Sequence, residues 1–394
     1  MENPASPARA VSTPRLPGLD LLRAVAISWV LIYHSSLFGL SSQQLWIVRF
    51  GWMGVDLFFV LSGFLIAGQL LRPWAEGLRP SYRRFFSRRL LRTLPAYLVM
   101  VALYSLFPVI RETPHLPPLW QLLTFTQNLL VVQANAFSHS WSLCVEEQFY
   151  LAFPLILALL AIRPSAARVI GTMAAILVLG MALRGWLWLH FVSHDPFAGP
   201  ADLHAGAYMK LIYYPTWSRL DGLLAGVAAA AVKLFRPGLW RRATARPNLL
   251  LAAGAVGVVG STFFFQDQVA GFLPAVFGYP LLSLSLAMLV MAGGEARSLI
   301  GRYAVPGAGA LAAGSYSLYL SHKFIFHAIG ADTLHLPAWT HGFGLPLAII
   351  AAGFAGAALY WGVERPFLRL RDRLDGPSRS SLAASPPRSR MAAA

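Results

Sequence analysis

The sequence predicts an all-α, polytopic membrane protein with about ten transmembrane helices and both termini in the cytoplasm. Of its 394 residues, 57% are hydrophobic and 12% are charged, about half the charged share of an average soluble domain. The mean hydropathy is +0.57, and a membrane-spanning helix needs about 20 apolar residues. The long apolar runs exclude a transmembrane β-barrel, and the single cysteine, Cys144, excludes a disulfide framework.

Ten apolar segments follow one another along the chain and predict the spans. They lie near residues 19–39, 49–71, 91–110, 141–162, 169–192, 219–235, 248–265, 271–292, 308–329 and 343–363. Residues 1–15 and 374–394 are rich in Pro, Ala and Ser, so we expect two disordered cytoplasmic tails. Residues 16–373 are then one transmembrane domain.

The net charge of +16 is mainly a signal of membrane orientation. Most of the 32 Lys and Arg residues lie in the tails and in every second connection between spans. By the positive-inside rule, those connections and both termini face the cytoplasm. We therefore expect a lipid bilayer as partner and no nucleic acid.

The first span carries two polar side chains on one face. Arg23 and His34 are eleven residues apart, which is three helical turns plus about 20° and about 16 Å along the axis. A single ligand that contacts both must be long and must thread into the membrane. The alternative is structural: Asp20 pairs with Arg23, and His34 binds a neighbouring backbone carbonyl.

Two arginines stand at the predicted cytoplasmic mouth of the third span. Arg89 and Arg92 are three residues apart on one helical turn, a spacing that suits bidentate contact with phosphate. The alternative is that they anchor the helix at anionic lipid headgroups. Asp56 lies in the second span between Gly54 and Gly63, and such small residues allow helices to approach closely.

The fourth span contains adjacent acids, Glu146 and Glu147. Glu146 and Tyr150 share a face because they are four residues apart, which favours Glu146 as the acid in a central cavity. Near a histidine, a buried carboxylate can fix the imidazole tautomer and stabilise the imidazolium. The alternative is a structural partner for an intramembrane arginine.

In order, these motifs resemble acyltransferase family 3, the integral membrane O-acyltransferases of bacterial polysaccharides, peptidoglycan and some natural products. The resemblance rests on Arg23 and His34 with ten residues between them, and on the paired arginines before a Pro and a Tyr. It also rests on GVDLFFVLSGF, WSLCVEEQFYLAFP, TWSRLDGLLAG, GSYSLYLSH and VERPF. Ser321 departs from the pattern, since an aromatic residue is expected there, and Lys323 follows His322.

The resemblance implies an acyl-CoA co-substrate, acetyl-CoA in particular, with no tightly bound cofactor. It implies a hydroxyl acceptor on an extracytoplasmic or membrane-linked glycan or a glycosylated small molecule, and the inner membrane of a bacterium as the location. By this resemblance, His34 is the catalytic group and Glu146 is a supporting acid. Arg23, Arg89 and Arg92 are then expected to bind the acyl-CoA donor. Further substrate-binding or supporting candidates are Asp56, Trp141, Tyr150, Arg219, Asp221 and His322.

The chemistry of an imidazole leaves two routes open. An ordinary imidazole has a pKa near 6.5, so neutral His34 could accept the hydroxyl proton as the acceptor attacks the thioester. A covalent acyl-histidine is the other route. The histidines at 190, 194 and 204 lack the spacing of metal ligands, so we expect no metal.

A transporter is the competing class of function. Arg23, His34, Asp56 and Glu146 would then form a proton or substrate relay without acyl chemistry. Duplicated halves would favour transport, and the sequence contains no evident internal repeat. The connection 193–218 is rich in His and aromatic residues and could cover an acceptor cleft; it could equally be an interfacial aromatic belt.

Overall fold

The computed structural model describes residues 16–129, 135–195, 206–266, 271–330 and 343–375. Within these ranges the secondary structure is helical and contains no β-strand, so the predicted all-α class is confirmed. The predicted tails lie outside the described residues, except for Leu374 and Asp375. Residues 196–205 of the connection 193–218, which include His204, also lie outside them.

Fifteen α-helices follow one another in the described part of the chain. The first eight are α1 (Pro17–Ser36), α2 (Trp46–Arg49), α3 (Met53–Ala75), α4 (Tyr82–Leu106), α5 (Leu119–Leu123), α6 (Trp141–Ile162), α7 (Ala166–His190) and α8 (Asp221–Phe235). The others are α9 (Pro237–Ala243), α10 (Pro247–Phe265), α11 (Tyr279–Gly293), α12 (Leu299–Arg302), α13 (Ala308–Gly330), α14 (Gly344–Leu359) and α15 (Arg365–Leu374).

Each of the ten predicted spans overlaps one helix, although α4 begins at Tyr82, nine residues before the predicted start of the third span at residue 91. Seven helices in the described ranges are long and apolar enough to cross a membrane, and the bent pair α8 and α9 would make eight. The helices α1 and α13 are outside that set, and both carry cationic side chains and histidines. The multi-pass architecture is therefore clear, while the count of ten and the orientation of the termini stay predictions.

Local sequence explains where several helices begin. Proline occupies the first position of α1, α9 and α10, where its missing N–H has no helical partner in any case. At the start of α4, Ser81 accepts a hydrogen bond from the backbone N–H of Arg84 at 3.3 Å. These residues define where each of the four helices begins.

The helix α3 is the centre of the bundle and packs on α1, α8 and α11. It approaches α8 so closely that a Cβ on Gly63 would lie 2.2 Å from the carbonyl oxygen of Leu223. Reciprocally, a Cβ on Gly226 of α8 would lie 2.2 Å from the carbonyl oxygen of Val60. Glycine is thus required on both helices, as the small residues of the second span predicted.

The helix α1 lies between α3 and α13, and α13 also packs on α14. The helices α10 and α11 form a neighbouring antiparallel pair. In contrast, α7 is peripheral and exposes large apolar side chains such as Ile170 and Leu179. This arrangement brings the functional candidates of α1, α3, α4, α6 and α13 to the interior of the bundle.

Candidate active site

Two histidines from distant parts of the chain are hydrogen bonded between α1 and α13. His34 Nδ1 lies 2.6 Å from His322 Nε2, and the two rings are inclined by only 13°. The other nitrogen of His322, Nδ1, lies 2.7 Å from the carbonyl oxygen of Tyr319 and 3.2 Å from that of Leu318. The structure therefore places the predicted catalytic residue against a predicted supporting residue, 288 positions away in the chain.

A third histidine, His139, completes this cluster and was missed by the sequence reasoning. Its ring centroid lies 5.2 Å from that of His322 and 6.3 Å from that of His34. Its Nε2 lies 3.2 Å from the carbonyl oxygen of Leu320, while its buried Nδ1 has no hydrogen-bond partner in the described part of the chain. The available signal was its place two residues before Trp141, at the entrance of a predicted span. Among the residues described by the structure, no group of His, Cys, Asp or Glu is arranged to hold a metal ion.

The two residues that depart from the family pattern both lie beside the histidine cluster. Lys323 donates from Nζ to Ser138 Oγ at 2.5 Å, directly next to His139. The hydroxyl of Ser321 donates to the carbonyl oxygen of Ser317 at 2.9 Å. Both side chains are buried, so the departures occur in the interior of the site.

A cavity of about 290 Å³ runs through the bundle between α3, α4, α6 and α13. Along α3 its lining extends from Val55 to Gln69, fourteen residues or about 21 Å of helix. Its charged lining consists of Arg23, Arg88, Arg89, Arg92, Arg371 and Glu146. The cavity is therefore long and narrow, with most of its charge carried by guanidinium groups.

The three arginines predicted to bind the donor all line this cavity. The guanidinium of Arg89 lies over the ring of Tyr150, with Cζ 5.3 Å from the ring centroid. Its Nε is buried and has no hydrogen-bond partner among the residues that the structure describes. Arg23 comes from α1, and Arg89 and Arg92 come from α4, so the packing of two separate helices concentrates positive charge at one level.

Glu146 lies in the same cavity, at the level of the arginines. Its Oε1 accepts a hydrogen bond from Ser62 at 2.5 Å, and its Oε2 accepts one from Tyr150 at 3.1 Å. None of its described hydrogen bonds involves His34. This position agrees with the alternative reading, a carboxylate that balances intramembrane arginines, and its role as a supporting acid stays a prediction.

At the end away from the arginines, the cavity reaches a hydrogen-bonded pair of side chains that lies next to the histidine cluster. Ser142 Oγ lies 2.7 Å from the hydroxyl of Tyr319, which donates to the carbonyl oxygen of His139 at 2.6 Å. Both side chains line the cavity, whereas His34 does not. His322 follows Tyr319 by three residues, about 4.5 Å along α13. One layer of side chains therefore separates the cavity from the imidazole pair.

The remaining acidic and basic candidates form two buried ion pairs. Arg219 Nη2 donates to Asp56 Oδ1 at 2.8 Å. Arg184 binds both oxygens of Asp221, at 2.7 and 3.0 Å. Neither pair lines the cavity, and together they join α3, α7 and α8. Their most evident contribution is structural, because each charge has an opposite charge within hydrogen-bond distance.

Aromatic rings surround the guanidinium of Arg219. Its Cζ lies 4.1 Å from the ring centroid of Tyr279, 4.6 Å from that of Tyr213 and 5.2 Å from that of Trp141. Such contacts lower the cost of a buried cation. Trp141, a predicted supporting residue, is thus a packing partner of a buried arginine in this structure.

Comparisons with known proteins agree with this architecture. The model of the acyltransferase domain of acyltransferase family 3 matches residues 16–364. The chain belongs to this family. The O-acetyltransferase OatA of Staphylococcus aureus (strain NCTC 8325 / PS 47) is 27% identical over 336 residues, which cover 79% of this chain and 50% of that protein. The putative O-acetyltransferase SACOL0978 of Staphylococcus aureus (strain COL) is 29% identical over 232 residues, covering 55% of this chain and 34% of that protein.

The chain thus spans about half the length of the first of these relatives. No solved structure matches it.

Proposed function

We propose that this protein is a membrane O-acyltransferase that moves an acetyl group from acetyl-CoA to a hydroxyl of a glycan or a glycosylated small molecule. The observation that carries the proposal is the long cavity, which has partly buried arginines at one end and ends one layer of side chains from His34 and His322. Membership of the acyltransferase family supports the reaction class. One relative is named as an O-acetyltransferase and another as a putative O-acetyltransferase, which supports the acetyl group.

The charge distribution of the cavity supports a donor of this kind. Coenzyme A has phosphates at one end and a thioester at the tip of a long thin arm. Guanidinium groups are preferred partners of phosphate, and Arg23, Arg89 and Arg92 are collected at one level of the cavity. The thioester would then reach the level of Ser142 and Tyr319.

The reaction is acyl transfer to oxygen, and it requires the layer of Ser142 and Tyr319 to open so that the thioester and the acceptor come within hydrogen-bond reach of His34. The acceptor hydroxyl loses its proton to the imidazole of His34 as its oxygen bonds to the thioester carbonyl carbon. The C–S bond breaks, and the proton passes from the imidazolium to the leaving thiolate, which yields an O-ester and free CoA thiol. In the covalent variant, the imidazole attacks the thioester first and transfers the acyl group to the acceptor second.

The orientation predicted from the charges supports a donor and an acceptor on opposite sides of the membrane. By the positive-inside rule, the arginine-rich mouth with Arg88 and Arg371 faces the cytoplasm, where acyl-CoA is made. The acceptor reaches the histidine cluster from the extracytoplasmic side. We therefore propose the inner membrane of a bacterium as the location.

The test is the substitution His34→Ala in protein reconstituted into liposomes. The substrates are [14C]acetyl-CoA and a panel of surface and lipid-linked glycans, and the measured product is alkali-labile label on the acceptor. Loss of a general base costs about 10² to 10⁴ in rate, so we expect at least a 100-fold decrease. The matched control is His190→Ala, at an exposed histidine on the peripheral helix α7, which should transfer label at the wild-type rate.

Near-normal transfer by a folded His34→Ala variant would exclude His34 as the reaction centre. Failure of the wild-type protein to transfer label to any glycan or glycosylated compound in the panel would count against the proposed acceptor class. Transfer by the wild-type protein and the His190→Ala control alone is the result that supports the proposal.

A further inference from the structure

We infer that His322 is a positioning residue that fixes the tautomer of His34, so that the basic lone pair of His34 lies on Nε2. This inference rests on the proposed function, because it specifies which atom of the catalytic imidazole accepts the proton or carries the acyl group. It follows from three hydrogen-bonding facts about the pair.

The first fact is that Nδ1 of His322 must carry a proton. Its described partners are the carbonyl oxygens of Tyr319, at 2.7 Å, and Leu318, at 3.2 Å. A carbonyl oxygen only accepts hydrogen bonds. The nitrogen that faces it is therefore the donor, and a backbone carbonyl that holds Nδ1–H is a common way of fixing a histidine tautomer.

The second fact is that the surroundings of His322 favour its neutral form. The residue is 0% exposed, and its described contacts are His34, His139, Tyr319, Phe326 and the carbonyl of Leu318. No carboxylate is among these contacts, and Lys323 and His139, which are both basic, lie beside it. A buried imidazolium without a counterion is costly. With Nδ1 protonated in a neutral ring, Nε2 has only a lone pair.

The third fact is that this lone pair faces His34 along a straight hydrogen bond. The ring centroids are 4.9 Å apart and the nitrogens 2.6 Å apart. Given the size of an imidazole ring, this is the largest centroid separation that these two nitrogens permit, so both lie on the line that joins the ring centres. With rings inclined by 13°, the pair is edge to edge and nearly coplanar, unlike a face-to-face stack.

An N–H bond of imidazole points outward along that same line. The proton between the rings therefore belongs to Nδ1 of His34, because Nε2 of His322 is the acceptor. A neutral imidazole carries one N–H, so Nε2 of His34 has the lone pair. His322 thereby holds both the tautomer and the orientation of the catalytic ring, as the carboxylate does for the histidine of a hydrolase triad.

Two amide substitutions separate this role from general packing. In His322→Gln, the amide oxygen can occupy the place of Nε2 and accept from His34. In His322→Asn, the side chain is shorter and its amide reaches only the level of Nδ1. Both residues are uncharged and polar, so they differ mainly in reach toward His34.

We expect His322→Gln to retain kcat to within about tenfold and His322→Asn to lose at least about 100-fold, since a wrong tautomer costs about 10⁴-fold in a triad enzyme. The KM for acetyl-CoA should stay unchanged in both, because the arginines that line the cavity are not altered. The assay is the [14C]acetyl transfer described above, with the melting temperature of each variant measured alongside.

A second measurement needs neither turnover nor a variant of His322. The protein labelled with 15N-histidine is reconstituted in lipid nanodiscs, and the signals of His34 are assigned among the ten histidines by their loss in His34→Ala. The nitrogen chemical shifts at neutral pH should show Nδ1 protonated and Nε2 unprotonated.

Unprotonated Nδ1 in His34 would overturn the inference. So would equal kcat values for stable His322→Gln and His322→Asn variants. Either result leaves the proposed function intact as long as His34→Ala abolishes transfer, whereas an active His34→Ala variant would refute the function itself.

Discussion

Arg89 has a buried Nε that the described part of the protein leaves unpaired. This nitrogen has less than 1 Å² of accessible surface and no hydrogen-bond partner among the described residues, although buried donors are normally satisfied. The guanidinium lies over the ring of Tyr150, and the face of that ring offers Nε no oxygen acceptor. An incoming phosphate group would supply the acceptor that is missing.

We therefore predict that Arg89→Ala weakens binding of the donor. A hydrogen bond to a charged group contributes about 1.5 to 3 kcal/mol, or about 10- to 100-fold in the dissociation constant. The measurement is equilibrium binding of [3H]acetyl-CoA to protein in nanodiscs. The control is Arg83→Ala, at an exposed arginine on the same helix that does not line the cavity.

Equal affinities for acetyl-CoA in the two variants would contradict the prediction. An increase in the KM of the acceptor alone would contradict it as well, because Arg89 would then act on the other substrate.

At the level of residues, the sequence predicted which residue types belong to the site better than it predicted which of them contact each other. Helical spacing grouped Arg23 with His34 and Arg89 with Arg92, since those separations lie within one helix. It could not pair His34 with His322 or Asp56 with Arg219, which are 288 and 163 positions apart. For the same reason, it did not locate Glu146 among the arginines, a position that depends on three helices.

At the scale of elements, the contact between α3 and α8 is the closest backbone approach that supports the cavity. The carbonyl oxygen of Leu223 occupies the space where a side chain on Gly63 would begin. By contrast, a Cβ on Gly68, five residues later in α3, would meet nothing within 4 Å. One helix therefore contains a glycine that packing requires and one that it does not.

We predict opposite effects for the two alanine substitutions. Gly63→Ala should lower stability by about 1 to 3 kcal/mol, the usual cost of overpacking, because two backbones must separate. Gly68→Ala should leave the melting temperature unchanged or raise it, since alanine favours helix by up to about 1 kcal/mol over glycine. Thermal unfolding of both variants in the same detergent is the measurement, and equal destabilisation would refute the packing argument.

The sequence predicted the existence and approximate limits of these elements well. Each of the ten apolar segments overlaps one helix, because burial in lipid or protein requires continuous apolar sequence. The polar, arginine-rich start of α4 was not predicted as part of its helix. Short interruptions were not predicted. The π-helical segments Met209–Tyr213, Pro274–Gly278 and Tyr360–Glu364 depend on packing with neighbours, for which periodicity in one chain gives no signal.

At the scale of the whole molecule, the orientation in the membrane decides which substrate meets which end of the cavity. Arg88 and Arg371, which line the cavity, come from the arginine-rich start of α4 and from α15. If the end of the cavity where they lie faces the cytoplasm, acyl-CoA enters there directly.

We predict that Leu239→Cys is cytoplasmic and Leu119→Cys extracytoplasmic. Both leucines are about half exposed, at 54% and 53%, and they lie in connections on opposite predicted sides. The only native cysteine, Cys144, is buried and can be removed by Cys144→Ala. A membrane-impermeant maleimide added to intact spheroplasts should label Leu119→Cys alone, and in inside-out vesicles it should label Leu239→Cys alone. The opposite pattern would mean that the arginine-lined end of the cavity does not face the cytoplasm, which would contradict the proposed route of the donor.

The glycine contact between α3 and α8 also limits how the protein can move during turnover. Because their backbones are so close, α3 and α8 cannot easily slide past each other or separate. The side of the cavity formed by α3 is therefore rigid. The other walls of the cavity come from α4, α6 and α13, which pack less extensively on α3 than α8 does. Two of these helices contain an internal proline, Pro95 in α4 and Pro154 in α6. Any widening of the cavity that admits the bulky nucleotide end of the donor must therefore come from movement of α4, α6 or α13.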